Sequence, residues 1–153
     1  MPNGQKPRYN WIEHPSVNEI EVGLRKWAEK RPGWLEVGVP GHSPEGLPVI
    51  LCRITEDGVP VEDKQVALIT TCHGSREANT VTGALRLIKW LISEDPVASE
   101  IRHKQVILVM PSCDPEGLER HQAGNSLGVS PYSVWGMEGV TDPAKSPEAV
   151  AMQ

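Results

Sequence analysis

The sequence predicts an α/β fold in which a mixed, mainly parallel sheet is flanked by helices. Two strongly apolar runs, at residues 66–71 and 105–110, have the length and composition of buried strands. A helical apolar pattern lies between them, and a strand-helix-strand order implies a right-handed parallel unit. A pair of strands joined by a turn-rich loop precedes this unit, which makes the sheet mixed.

The first predicted element is a helix that begins after Ser16. Ser16 and Glu19 have the spacing of a capping box, and an Arg-Pro-Gly segment at residues 31–33 stops the helix. Apolar residues repeat at helical spacing between these limits: Val17, Ile20, Leu24, Trp27 and Ala28.

Two strands are predicted next, at residues 34–39 and 47–54. The loop between them is rich in Gly and Pro, which fits a hairpin better than a crossover connection. His42 and Glu45 in this loop are residue types that bind metals, but side chains of a solvated turn are the favoured interpretation.

The strand at residues 66–71 is apolar enough to be buried on both faces. A helix follows from about residue 78 and ends near residues 93–96, where a Ser-Glu-Asp-Pro segment interrupts it. Its apolar side is formed by Val81, Ala84, Leu85, Ile88, Leu91 and Ile92. The strand at 105–110 is again of the interior type.

Length and composition describe a single globular domain over residues 1–153. The hydrophobic fraction of 39% and the charged fraction of 23% are ordinary for such domains. The formal net charge of -5 argues against nucleic acid and anionic membranes as partners, because both require a basic surface. No apolar leader follows Met1, so a chain that starts there is expected in the cytoplasm.

The cysteines Cys52, Cys72 and Cys113 are odd in number and widely spaced, which predicts buried free thiols instead of disulfides or a zinc knuckle. Cys72 adjoins His73 in the sequence. A cysteine–histidine nucleophile pair is nevertheless disfavoured there, because adjacent strand residues point to opposite faces.

His73 and Glu77 are the strongest candidates for a functional site. They lie where a strand gives way to a helix, a junction that directs side chains into the crevice at the carboxyl edge of an α/β sheet. Imidazole nitrogen and carboxylate oxygen are zinc ligands, and a catalytic zinc normally has three protein ligands and one open position. The pair supplies two of the three ligands. An ordinary residue pair at a helix N-terminus is the alternative.

The sequence changes character beyond Pro111, where Gly and Pro recur and a loop is predicted at the same sheet edge as His73. A Ser-Pro-Glu segment at 146–148 then has the pattern of a helix start, but the chain stops within two turns. The chain is therefore expected to be the front part of a longer protein. A frayed natural carboxyl terminus is the alternative.

Three motifs occur in order along the chain. Residues 41–48 read Gly-His-Ser-Pro-Glu-Gly-Leu-Pro, residues 73–77 read His-Gly-Ser-Arg-Glu, and residues 114–117 read Asp-Pro-Glu-Gly. From about Trp11 to its end, the chain resembles the zinc carboxypeptidases of the carboxypeptidase A type. That family has a Gly-Ser-x-x-Gly turn, a strand ending in the zinc-binding pattern His-x-x-Glu, and an Asn-Pro-Asp-Gly-aromatic motif at the corresponding places.

The resemblance implies that the chain is the amino-terminal portion of a carboxypeptidase-like α/β/α sandwich, apparently truncated at its carboxyl end. It implies Zn²⁺ as the cofactor, with His73 and Glu77 as two of its ligands. Arg76 would lie beside the site and contact the substrate. A surface arginine at a helix start is the alternative interpretation of Arg76.

Asp114, Pro115 and Gly117 would form a loop that shapes the site without taking part in catalysis. The sequence also departs from the family. The spacing of the ligand pair is one residue longer than His-x-x-Glu, so a backbone bulge or a shifted carboxylate position is expected. The family's third ligand and general base come from a later part of its domain, so no catalytic residue is assigned here, and His121 is expected to be a solvated side chain.

The reaction implied by the resemblance is the removal of C-terminal residues from peptides by metal-activated water, with a peptide or acyl-amino acid as substrate. The 153-residue chain alone is expected to be inactive and marginally stable, because it lacks a third ligand, a base and later strands. Two alternatives stay open: an aspartoacylase-like deacylase of N-acyl amino acids with the same fold, and a non-catalytic binding module or inactive fragment.

Overall fold

The computed structural model describes residues 15–74, 77–134 and 144–151. These residues form a four-stranded sheet with the order β1-β2-β4-β3. Antiparallel pairs join β1 to β2 and β2 to β4, whereas β3 and β4 are parallel. The strand bounds are Leu35–His42 for β1, Pro48–Ile54 for β2, Gln65–Thr70 for β3 and Gln105–Met110 for β4.

Six α-helices are present in the described part of the chain: α1 Val17–Lys30, α2 Ala78–Leu91, α3 Pro96–Lys104, α4 Pro115–Arg120, α5 Pro131–Val134 and α6 Pro147–Ala151. A short 3-10 helix at Val61–Asp63 precedes β3. None of the helices in the described ranges has the length and apolar character needed to cross a bilayer.

The predicted α/β fold with a mixed sheet flanked by helices is confirmed. Among the described strands, β1, β3 and β4 run in the same direction, and β2 runs against them. The sheet is mixed because the hairpin strand β2 pairs directly with β4 and so places an antiparallel strand inside the sheet.

The first helix begins as the sequence predicts. The backbone N–H of Glu19 donates to Ser16 Oγ at 3.2 Å, and the Ser16 N–H donates to Glu19 Oε2 at 2.8 Å, which completes a capping box. The next free N–H of the helix, that of Val17, donates to Glu119 Oε1 at 2.6 Å. The start of α1 is therefore fixed to the end of α4.

Three short helices lie in segments where the sequence pattern predicts either no helix or a loop. The first is α3, where Asp95 Oδ1 accepts the N–H of Val97 at 2.8 Å, and the second is α4, where Asp114 Oδ1 accepts the N–H of Gly117 at 2.9 Å. A proline at the first helical position follows each aspartate. This Asp-Pro pattern is a helix-start signal that was available in the sequence. The third is α5, within the predicted loop.

The hairpin is confirmed, although β1 is longer than predicted and continues to His42 through a register shift between Gly38 and Gly41. The helix α6 packs on this extension. A Cβ placed on Gly41 would lie 2.7 Å from the Cβ of Ala151, so only glycine allows the helix to approach so closely. The predicted start of α6 is correct, but the hydroxyl of Ser146 has no hydrogen-bond partner among the described residues and does not cap it.

The main hydrophobic core lies on the face of the sheet that α1 and α2 cover. Residues from both helices pack there on the alternating apolar residues of β2 and β4. The members with at most 1% exposure include Val17, Leu24, Cys52, Ile54, Val81, Ile88 and Val109. A smaller cluster on the opposite face joins Val49 and Met110 to α5 and α6.

The prediction that β3 is buried on both faces is wrong for the structure as described. Val66 and Leu68 are 66% and 50% exposed, whereas Ile69 packs against the main core. Val66 and Leu68 lie in register with Val106 and Leu108 of β4, on the face that α5 and α6 cover only near β1 and Met110. No described element covers β3 on this face or pairs with its outer edge.

Glu148, in the first turn of α6, is fully buried. Asn125 Nδ2 donates to its Oε2 at 3.3 Å, and its Oε1 has no partner among the described residues. Burial raises the pKa of Glu148 above its ordinary value, although its own backbone N–H and Asn125 act in the opposite direction. The nearby acidic residues Glu116 and Asp114 add to the increase.

The exposed face of β3 leads to a prediction about self-association. Leu68→Lys should increase the monomeric fraction of the isolated chain, because a charge on an open strand edge opposes edge-to-edge pairing. Size-exclusion chromatography with light scattering measures this fraction at several concentrations. Val22→Lys is a matched control on α1, where the valine is 43% exposed. Equal aggregation of Leu68→Lys and the wild type would contradict the prediction.

Glu148→Gln should change how stability depends on pH. A raised pKa in the folded state means that the stability associated with Glu148 is present below about 4.5, the carboxyl's ordinary pKa, and is lost as the pH rises through the folded-state pKa. The variant should therefore have a higher Tm than the wild type at pH 8 and nearly the same Tm at pH 4. Thermal unfolding at both pH values measures the difference, with the exposed Glu62→Gln as the charge-matched control. An equal Tm difference at both pH values would rule out burial of the charge as its cause.

Candidate metal centre

The candidate site lies at the junction between β3 and α2, which the parallel pairing places beside the end of β4. The N–H of Thr71 donates to Met110 O at 3.1 Å, and the N–H of Cys113 donates to Thr71 O at 3.0 Å. The N–H of Asp114 donates to Cys72 O at 3.0 Å. Two chain segments that are distant in the sequence are thus fixed together at the carboxyl edge of the sheet.

Cys72 turns the chain immediately before His73. Its φ of 51° is in the left-handed region, which is uncommon for residues other than glycine. The Cys72 N–H donates to Thr80 Oγ1 at 2.9 Å, and that hydroxyl donates to Glu77 O at 2.6 Å. These bonds hold the turn against the first turn of α2.

The turn brings His73 and Glu77 together. His73 Nδ1 lies 3.8 Å from Glu77 Oε2, and the backbone N–H of His73 donates to the same oxygen at 3.1 Å. The other ring nitrogen, Nε2, lies 3.0 Å from Thr70 Oγ1. The side chains are 25% and 47% exposed, so the pair is accessible from solvent.

The separation of the two ligand atoms suits a shared metal ion. Two atoms each about 2.1 Å from a tetrahedral zinc lie roughly 3.4 Å apart, which a small side-chain rotation reaches from the observed geometry. The longer ligand spacing predicted a bulge or a shifted carboxylate. In the structure a left-handed residue precedes His73, and Glu77 occupies the N-cap position of α2.

Among the described residues, no group of three or more His, Cys, Asp or Glu side chains is arranged to hold a metal ion. His73 and Glu77 are therefore two candidate ligands, and the described ranges place no third candidate with them. His121, at the left-handed C-cap of α4, is exposed, as is His42 at the end of β1. Arg76, the predicted substrate contact, lies outside the described residues.

The loop at residues 114–117 is built around Asp114, whose side chain is fully buried. Its Oδ1 and Oδ2 accept the N–H groups of Gly117 and Gly124, each at 2.9 Å. A Cβ placed on Gly117 would lie 2.2 Å from Asp114 Oδ2 and 2.6 Å from Gln122 O. The aspartate and the glycine are thus required together, and the loop they form borders Cys72.

The pKa values of the two buried acids in this loop, Asp114 and Glu116, are shifted in opposite directions. Burial raises the pKa of Asp114, and the two backbone N–H groups offset this only in part. Burial also acts to raise the pKa of Glu116. Hydrogen bonds from the Ser43 side chain and from the N–H groups of Glu45 and Ser126 outweigh it, however, so that pKa lies below its usual range.

The three cysteines lie in buried environments that disfavour a reactive thiolate. All three are free and buried, as the sequence predicts. Burial raises the pKa of Cys72 to about 11 and that of Cys113 to about 12. A nucleophilic thiolate at Cys72 is therefore disfavoured, which agrees with the sequence interpretation.

Sequence reasoning missed the residues that orient the candidate ligands. Thr70 contacts the imidazole, and Thr80 links Cys72 to Glu77. For Thr70 the sequence offered one signal, a Thr-Thr pair at the end of an otherwise apolar strand. The hydrogen bonds of Thr70 and Thr80 depend on the left-handed turn at Cys72, which no local sequence pattern predicts.

Both the family profile and the sequence relatives that match this chain are carboxypeptidases. The sequence profile of the zinc carboxypeptidases matches residues 20–137. Human carboxypeptidase D is 28% identical over 126 residues, which cover 77% of this chain and 9% of that protein. The chain therefore spans less than a tenth of the length of this curated relative.

Solved structures share the fold. The metallo-carboxypeptidase from Burkholderia cenocepacia superposes with a TM-score of 0.69 at 22% identity, over 86% of this chain and 35% of that one. An aspartoacylase family protein from Mesorhizobium loti gives a TM-score of 0.56 at 17% identity, over 78% and 35% of the two chains. At these identities the likeness concerns the fold alone.

Gly117→Ala should destabilise the protein by about 2–3 kcal/mol, in the upper part of the range for overpacking. Asp114 Oδ2 is held by the N–H of Gly124, and Gln122 is held by its own N–H, which donates to Gly117 O, so neither neighbour can move away without loss of a hydrogen bond. Denaturant unfolding measures the change. Gly83→Ala on α2 is the control, since nothing lies within 4 Å of its added Cβ. That helix substitution should raise the stability by about 0.5–1 kcal/mol. Equal stability of Gly117→Ala and the wild type would contradict the loop geometry.

Proposed function

The chain belongs to the zinc carboxypeptidase family, and from this premise we propose that residues 1–153 are the amino-terminal part of a zinc-dependent peptidase domain. The complete protein would remove C-terminal residues from peptides. The observation that carries the proposal is the 3.8 Å separation of His73 Nδ1 and Glu77 Oε2, a geometry suited to one shared metal ion.

Each side chain of the pair has a defined role in this proposal. Nδ1 would be unprotonated when it binds a metal, so Nε2 would carry the proton and donate it to Thr70 Oγ1, which lies 3.0 Å away. The N–H of His73 holds the Glu77 carboxylate on the same side as Nδ1. His73 and Glu77 would hold a zinc ion, which would supply a Lewis acid to lower the pKa of water and polarise the scissile carbonyl.

We further propose Arg76 as a substrate contact beside this site. The support is its position directly before Glu77, which matches the pattern of the family. A guanidinium binds carboxylates through two parallel hydrogen bonds, so it is suited to a substrate with a carboxylate.

A deacylase of N-acyl amino acids is the second candidate, and the likeness to the aspartoacylase family protein favours it as the alternative. Both candidates use the same ligand pair and differ in the substrate pocket. Assay of the complete protein with a peptide and with an N-acyl amino acid separates them.

His73→Ala and Glu77→Gln should each weaken zinc binding by the chain about tenfold or more, because each removes one of two ligands. Equilibrium dialysis against zinc measures the affinity, and Co²⁺ absorption spectra report the ligand types. His42→Ala is the matched control, since that histidine is exposed on β1 away from the pair. Wild-type affinity in His73→Ala would contradict the ligand assignment.

The same chain should not hydrolyse peptides, because its described residues offer two candidate ligands and no third with which to form a working site. Incubation with zinc and a peptide that has a free C-terminus tests this by the release of its last residue. Zinc-dependent release that disappears in His73→Ala would show that the chain is active by itself.

A further inference from the structure

A cleft of about 400 Å³ lies at the carboxyl-terminal ends of α1 and α2. It is lined by Trp27, Lys30, Arg31, Lys89, Ile92 and Ser93. Because α2 has 14 residues, it spans about 21 Å and separates this cleft from Glu77 at its other end. The cleft therefore does not belong to the candidate metal centre.

The floor of the cleft is apolar and partly aromatic. Ile92 is only 6% exposed, and Trp27 is partly buried against the main core, which fixes the indole in place. The cation contacts of Arg31 and Arg102 are made with a different ring, that of Trp34. The indole of Trp27 lines the cleft and is a group on which a planar ligand can stack.

Three cations meet at this floor in a chain whose net charge is -5. Lys30 ends α1, Arg31 is its C-cap, and Lys89 lies in the last turn of α2. Basic residues near a helix C-terminus ordinarily compensate the helix dipole, which places about half a negative charge at the carboxyl-terminal end of each helix. The carbonyls of Leu91 and Ser93 already accept hydrogen bonds from the buried Arg102. Three full charges therefore exceed what the two helix ends require.

At the rim of the cleft, one of these cations, Arg31, already forms an ion pair with Glu94. Glu94 Oε1 lies 2.6 Å from Arg31 Nη1, with side-chain exposures of 73% and 38%. A solvent-exposed pair of this kind contributes little to stability, so an incoming anion can displace it. Ser93 Oγ accepts the N–H of Asp95 at 3.2 Å, which leaves the hydroxyl proton to donate to a ligand.

We propose that this cleft binds a planar aromatic anion. The ring lies against Trp27 and Ile92, and the anionic group lies between Lys30, Arg31 and Lys89. A nucleoside monophosphate combines these two features, and the cleft volume is within the range of about 300–1,000 Å³ that small-ligand sites occupy.

Titration of the 153-residue chain with adenosine monophosphate tests the proposal, with EDTA present so that the metal centre plays no part. Isothermal calorimetry and the NMR signals of the tryptophan indole N–H groups measure binding. Adenosine lacks the anion and inorganic phosphate lacks the ring, so each should bind about tenfold more weakly. Absence of saturable binding by adenosine monophosphate, or equal affinity for inorganic phosphate, would overturn the proposal.

Surface substitutions locate the site without disturbing the core. Lys30→Gln combined with Lys89→Gln should weaken binding about tenfold, whereas Glu94→Gln should strengthen it about twofold by releasing Arg31. Lys26→Gln is the matched control, because this exposed lysine of α1 is not among the residues that line the cleft. Circular dichroism verifies that each variant is folded. If Lys26→Gln weakens binding as much as the double variant, net charge and not the cleft is responsible, and the proposal is wrong.

Discussion

The parallel pairing of β3 with β4 is the constraint on which the rest of the structure depends. Residues 65–70 and 105–110 align without a register shift, so both strands end at the same level. The turn after β3 and the loop after β4 therefore meet, and backbone hydrogen bonds from Cys113 and Asp114 to Thr71 and Cys72 hold them together. The position of the candidate ligands follows from this alignment, because His73 comes directly after the residues that are held.

The two faces of the sheet are covered unequally. Helices α1 and α2 bury one face along its length, whereas α5 and α6 cover the other only beside β1, β2 and the end of β4. The apolar side chains of Val66 and Leu68 are left in solvent. Under the proposed function, later parts of a larger domain would cover them, which agrees with a chain that spans 35% of the metallo-carboxypeptidase it superposes on.

Helix α2 has distinct surroundings at its two ends. Its first turn contacts the turn at Cys72 through Thr80 and carries Glu77 at the N-cap. Its last turn carries Lys89 and, with the end of α1, forms the basic cleft around Trp27. The buried middle of the helix, at Val81, Ala84 and Ile88, fixes both ends to the same core. The inferred anion site and the candidate metal centre therefore have one rigid support without sharing a residue.

The sequence by itself determined α1, the hairpin, the β3-α2-β4 unit and the resemblance to zinc carboxypeptidases, because capping boxes, turns and apolar periodicity depend on residues close in the chain. Tertiary structure alone decided three features. These are the exposure of Leu68, the left-handed turn at Cys72, and the 3.8 Å approach of His73 to Glu77. Each depends on which elements pack against β3 and β4, and such long-range contacts leave no local pattern in the sequence.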